Sequence, residues 1–186
     1  YALREGLADH NPCQHVPKPI DNRRTRFLNA EEYARIGAAL DAAEGAEISA
    51  MHANAIRALL LTGCRKSEIL KLKRAEVDLG GRCLRFEDTK TGAQIRPCGD
   101  PALTLIQSVL NGHESSWAFP ASRSDGALEG VRKPLEKVCA LAGVQGVTAH
   151  VFRHSFATVA HEIGYSELTI AGLLGHRLHS MTSRYA

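Results

Sequence analysis

The stretch T-G-C-R-K-S-E-I-L-K-L-K-R-A-E-V-D-L-G-G-R-C-L-R-F, residues 62–86, changes its periodicity halfway along. Thr62-Gly63 stops one helix, and a short helix from about Lys66 to Leu72 follows. Val77-Asp78-Leu79, Gly80-Gly81 and Arg82 to Phe86 then read as strand, tight turn and strand, because paired glycines accept the backbone angles of a short hairpin. Thr89-Lys90-Thr91-Gly92 forms another turn, and Gln94 to Pro97 reads as a third strand. Arg82, Arg85 and Arg96 are expected to keep this sheet polar on one side. Helices surrounding one small antiparallel sheet make the fold class α+β, mainly α, with three strands.

Upstream, Asn29 with Glu32 three residues on is a capping-box signature. The helix it opens runs to about Ala43, with Tyr33, Ile36 and Leu40 on one face, and Gly45 breaks it. A second helix spans about Glu47 to Leu61, where Ile48, Met51, Ala55, Ile56, Leu59 and Leu60 recur at helical spacing. Before Phe27 the chain is not a self-contained unit. Tyr1 to Ala8 reads as the last turns of a helix, which Asn11-Pro12 and Pro17-Lys18-Pro19 stop. Lys18, Arg23, Arg24 and Arg26 then make an extended basic linker, with a solvated charged loop the equal alternative. The division is therefore 1–26, helix remnant plus linker, and 27–186, one globular domain. Downstream, Pro101 opens a helix to about Leu110. Further helices are expected at about Leu128–Ala142, His150–Ile163 and Ser166–Leu174, with a short one near Ser180–Tyr185.

Composition bounds the rest. The 186 residues are 44% hydrophobic and 23% charged, which excludes a disordered tail, a collagen-like repeat and a disulfide-packed miniprotein. No apolar run approaches a membrane span, and the first residues are too charged and too short for a signal peptide. The lack of an initiator methionine suggests a fragment or a processed start. A net charge of +3 permits a nucleic-acid partner without demanding one. Five cysteines without a C-x-x-C pair point to free thiols in a reducing, cytoplasmic compartment.

Several residues carry potential chemistry. Arg65 follows a glycine-bearing turn at a helix start, where backbone N–H groups and a guanidinium fork suit phosphate oxygens. Taken alone it reads rather as a surface arginine paired with Glu68. Lys90 sits at a hairpin tip, from which an ammonium can reach a substrate. His150 and Arg153 share one helix face, a titratable imidazole beside a permanent cation. His150 and His154 at i, i+4 suggest metal, but the glutamate of H-E-x-x-H is missing, and His154 reads as structural. Gly175 ends a helix and leaves His176 on the following loop. Tyr185 lies one residue from the end. Together these supply what tyrosine attack on a phosphodiester needs. A phenol with a pKa near 10 must be deprotonated or hydrogen-bonded to a base. Arginines and histidine neutralise charge on phosphorus, and a lysine protonates the leaving oxygen.

The segments T-G-C-R-K-S-E-I-L, T-K-T-G, H-V-F-R-H-S-F-A-T, L-L-G-H-R and M-T-S-R-Y-A resemble the catalytic domain of the tyrosine recombinases, the phage integrase family. The resemblance covers about Thr62 to Tyr185, with a linker-like stretch before it, and implies the DNA breaking-rejoining enzyme fold. It makes Arg65 and Arg153 the catalytic arginines, Lys90 the hairpin lysine, His150 and His176 the histidines, and Tyr185 the nucleophile. Glu68 would buttress Arg65. The implied reaction passes through a 3′-phosphotyrosyl link and needs no metal, ATP or other cofactor. The implied partners are double-stranded DNA and, for the full-length protein, three further copies in a tetramer on paired sites, with the fragment monomeric without DNA. Lys66, Arg74, Arg23 and Arg24 are the expected DNA-binding side chains. The family pattern also has an N-terminal core-binding domain, of which residues 1–26 would be the remnant, and a tail beyond the tyrosine. A type IB topoisomerase and a non-catalytic DNA-binding integrase remnant are the rival readings.

Overall fold

The capping box at Asn29 forms: its side chain accepts from the Glu32 N–H at 2.8 Å, and the Glu32 carboxylate accepts from the Asn29 N–H at 3.2 Å. Arg26 braces this corner with an ion pair to Glu32 at 2.6 Å. The structure is a computed structural model that describes residues 1–11, 14, 16–17, 26–87 and 92–176. Helix α1 (Ala30–Ala43) buries Ile36, Ala39, Leu40 and Ala43. Helix α2 (Ala50–Thr62) is the hub, packing against α1, α4 (Asp100–Asn111), α5 (Arg132–Ala142) and α6 (Ala149–Glu162). Its Ala53, Ala55 and Ala58 are fully buried beside Ile56 and Leu59. Small side chains let several helices approach one axis, and each buried Ile or Leu contributes about 1.5–3 kcal/mol.

Helix α3 (Lys66–Leu70) leads into a 3₁₀ turn at Arg74–Glu76 and the sheet, with strands β1 (Val77–Asp78), β2 (Cys83–Phe86) and β3 (Gln94–Pro97) in that spatial order. All pairs are antiparallel, and β2 pairs Leu84 with Arg96 and Arg85 with Ile95. Helix α7 (Glu167–Leu174) packs on α6 and touches β3. No described helix is long and apolar enough to cross a membrane.

Several expectations need correction. The second helix begins at Ala50 behind a Ser49 cap, because Ala43 O holds the N–H groups of Glu47 and Ile48 in a turn. Helix α3 stops at Leu70, because Leu72 O is taken by Ala118 N–H and Lys73 bridges Trp117. Helix α5 starts at Arg132 rather than Leu128, whose N–H is bound to Phe119 O. Tyr1–Leu7 makes turns, not a helix. The three sheet arginines do not share a polar side. Arg85 stays out and pairs with Asp78, Arg82 pairs with Asp100 from the turn, and Arg96 is turned inward and is 1% exposed. Its pairing with Leu84 puts it on the core face.

Arg74 also departs from its expected DNA-facing role. Its guanidinium donates to the carbonyls of Leu110, His113 and Ser115, tying the loop after α4 to the 3₁₀ turn.

Candidate active site

Arg65 occupies the N-cap of α3 with extended backbone, φ −67° and ψ 148°. Glu68, three residues on, holds it twice. One carboxylate oxygen accepts the Arg65 N–H at 2.8 Å, and the other accepts Arg65 Nη1 at 2.6 Å. Glu68 is buried, whereas Arg65 keeps part of its side chain open. The i, i+3 pair thus forms, but with a buried acid rather than as a surface contact. The same Glu68 oxygen also accepts Arg96 Nη2 at 3.1 Å.

Arg153 enters from the other side. On α6 it is buried, and its two terminal nitrogens donate to Gly63 O at 2.8 Å and Leu174 O at 2.6 Å. Those carbonyls lie at the C-terminal ends of α2 and α7, where helix dipoles leave negative partial charge. Gly63 is required there. It has φ +61°, and a Cβ would lie 2.7 Å from the Phe156 ring, so only glycine lets α6 come this close. One arginine therefore fastens three helix segments and carries its charge beside Arg65.

His150 and His154 stand one turn apart at the start of α6, their Nε2 atoms 2.9 Å apart with rings edge to face. His154's partner is thus His150, consistent with its structural reading. Among the described residues no group of three or more His, Cys, Asp or Glu is placed to hold a metal ion. His176 follows Gly175, the left-handed C-cap of α7 with φ 62°. Lys66 is exposed and lines a groove with His150, Thr148 and Arg132.

The electrostatics are lopsided. Arg65 and Arg96 share the Glu68 carboxylate, and Arg153 adds a third cation to the same field. Burial first, then the repulsion of Arg65, pulls Arg153 down to about 10, with Arg96 adding to the repulsion and Glu68 opposing it. Arg153 remains charged at neutral pH. Partial desolvation lowers the His176 pKa, and Arg153, Arg65, Arg96 and His154 lower it further. His154 is lowered by desolvation, then by His150 and Arg153. Burial pushes the Cys64 thiol up, which keeps it neutral beside Arg65. The arrangement suits a dianionic or trigonal-bipyramidal phosphoryl group, since unneutralised fixed cations are worth most where negative charge develops.

The fold therefore brings Arg65, Glu68, Arg153 and His176 together, with His150 joined to them through His154. Lys90, Tyr185, Arg23, Arg24 and the helix expected near Ser180–Tyr185 lie outside the described residues. Sequence reasoning missed Arg96. No local signal marks it, because in Gln94-Ile95-Arg96-Pro97 alternation alone would turn Ile95 inward, and Ile95 is 56% exposed. Only the register against Leu84 reveals its direction.

Known proteins resemble this chain in sequence and in fold. The chain is 28% identical over its whole length to the tyrosine recombinase XerD of Caulobacter vibrioides and spans 65% of that protein. It is 25% identical over 136 residues to the prophage integrase IntF of Escherichia coli, matching 70% of this chain and 29% of IntF. The chain thus spans less than two thirds of either relative. Its fold matches a crystal structure of a lambda integrase dimer bound to a COC′ core site with a TM-score of 0.73 at 19% identity, covering 97% of this chain and 68% of that one. The phage integrase family profile matches residues 26–186, Arg26 through the last residue, and the chain belongs to that family of DNA breaking-rejoining enzymes.

Proposed function

We propose that this chain carries the strand-cleaving and strand-joining chemistry of a site-specific DNA recombinase, acting on double-stranded DNA through a phosphotyrosyl intermediate. The observation that carries the reading is the surplus of fixed positive charge around Arg65 and Arg153, with Glu68 shared by Arg65 and Arg96.

In this reading the Tyr185 phenol oxygen attacks the scissile phosphorus, and the P–O5′ bond breaks. The phenol proton passes to a neutral imidazole, and Lys90 gives a proton to the departing 5′ oxygen. His176 suits the acceptor role because its lowered pKa keeps it neutral at pH 7. Arg65 and Arg153 hold the non-bridging oxygens, and their positions are set before substrate arrives by Glu68 and by two backbone carbonyls. His150 adds a donor from the start of α6. The freed 5′ hydroxyl then attacks the phosphotyrosine of a partner strand, so one phosphoester replaces another and no energy source is consumed. Lys66 and the linker arginines Arg23 and Arg24 supply phosphate contacts that position the duplex. Recombination by the parent protein takes place in a tetramer on two DNA sites.

The relatives that match are integrases and recombinases, which favours strand exchange over topoisomerase-like relaxation. Surplus charge around Arg65 also favours catalysis over passive DNA binding, since duplex binding alone needs no buried arginine pair. The test is covalent trapping of the parent protein on a nicked duplex carrying its own recombination site. A protein–DNA adduct that forms in the presence of a chelator supports the reading. Strand cleavage that leaves no adduct and stops with the chelator would replace it with metal-dependent hydrolysis.

A further inference from the structure

Arg96 has no part in that mechanism, yet it heads the fully buried side chains by size among the described residues. Its burial is costly. Among the described residues Nε and Nη1 have no hydrogen-bond partner, and a buried cation with orphan donors is destabilising compared with an apolar side chain of similar volume. Fold stability therefore does not account for it.

Its contacts do. Through Nη2 it holds the Glu68 oxygen that also binds Arg65. Its guanidinium lies against Gly175, so close that a Cβ on Gly175 would fall 1.2 Å from Nη1. Gln94, two residues earlier on β3, donates to Gly175 O at 3.2 Å. Arg153 holds the preceding carbonyl, Leu174 O, from the opposite side. The C-terminal turn of α7 is thus clamped between β3 and α6, and His176 is the next residue out. We infer that Arg96 is a positioning residue that keeps Arg65 and His176 in mutual register, acting through Glu68 on one side and Gly175 on the other. The inference rests on the catalytic reading of Arg65 and His176 above. A guanidinium suits the task because its fork of terminal nitrogens can lie against the glycine at Nη1 while Nη2 bonds the carboxylate. A lysine has the charge but not the fork.

The experiment measures single-turnover adduct formation by the parent protein on the nicked duplex, with DNA affinity measured separately. Wild type is compared with Arg96→Lys and Arg96→Met across the range where histidine titrates. Arg96→Lys should lose about 10- to 100-fold in rate at saturating DNA with unchanged affinity, the loss typical when a supporting partner of a reacting group is removed. Arg96→Met should show the same loss and move the acid limb of the rate profile to higher pH. Of the groups that lower His176, Arg153, Arg65 and His154 would remain while one cation is gone. Folded variants that react at the wild-type rate with an unmoved profile would overturn the positioning role. So would loss of folding in both variants, which would make Arg96 structural. If Arg96→Met alone fails to fold, Arg96→Lys decides. A wild-type protein that forms no adduct would instead refute the catalytic reading on which the inference depends.

Discussion

Two arginine clusters in this molecule obey opposite charge balances. On the surface, Arg57 is held by Asp41 at 2.7 Å and Glu44 at 2.6 Å, two acids on one cation. Burial works against the Arg57 charge, but the hydrogen bonds to Glu44 and Asp41 outweigh it and its pKa rises. At the candidate site one buried acid is shared by Arg65 and Arg96, Arg153 leans on backbone carbonyls, and its pKa falls to about 10. The first cluster is complete and ties α1 to α2. In the second, among the described residues, one acid is shared by two cations, and in the proposed reading an anionic phosphate balances the rest. The difference separates a cluster that serves the fold from one arranged for a ligand, and it depends on the ratio of charges rather than on the number of ion pairs.

The comparison can be broken most decisively at the nucleophile. Tyr185→Phe should abolish the covalent adduct on nicked DNA while gel-shift affinity stays intact, and adduct persisting in that variant would assign the attack to another residue. Next, Arg65→Lys should slow adduct formation by about 10²- to 10³-fold, since an ammonium cannot supply the planar fork. Arg57→Lys in the surface cluster should leave the rate unchanged. Glu68→Gln should cost about 3–5 kcal/mol in urea unfolding, because it strands buried cations without their acid. Asp41→Asn should cost within about 1 kcal/mol, as expected for an exposed pair. Equal losses at the two sites would erase the distinction.

The smallest effect concerns pH. His154 and His176 both titrate below the ordinary value of 6.5 in the fold, so the unfolded chain takes up protons first as pH falls. Their contribution to stability is therefore present above 6.5 and lost as pH drops through the lowered values. Urea midpoints on either side of pH 6.5 should fall on the acid side, and less so in His176→Asn.

Much of the chain was legible locally. The Asn29–Glu32 box, the strands Cys83–Phe86 and Gln94–Pro97, and the glycine stops at Gly63 and Gly175 depend on residues within a few positions of one another. Arg65, Glu68, Arg153 and His176 stand in motifs whose spacing can be read directly, and the fold gathers them. Element starts were misread where a distant partner intervened, as when Phe119 O captured Leu128 N–H and delayed α5. Arg74 looked like a duplex contact until carbonyls from the loop after α4 occupied it.

The sequence by itself determined the helix caps, the hairpin and the set of reactive side chains, because each is a short-range preference of backbone angle or chemical type. The tertiary structure decided where Arg96 points, which carbonyls hold Arg153, and that one carboxylate answers several cations. Those outcomes depend on strand register and on helix ends separated by up to 90 residues along the chain, as between Gly63 and Arg153. Charge balance at a point in space is a sum over such distant segments, and no local pattern encodes it.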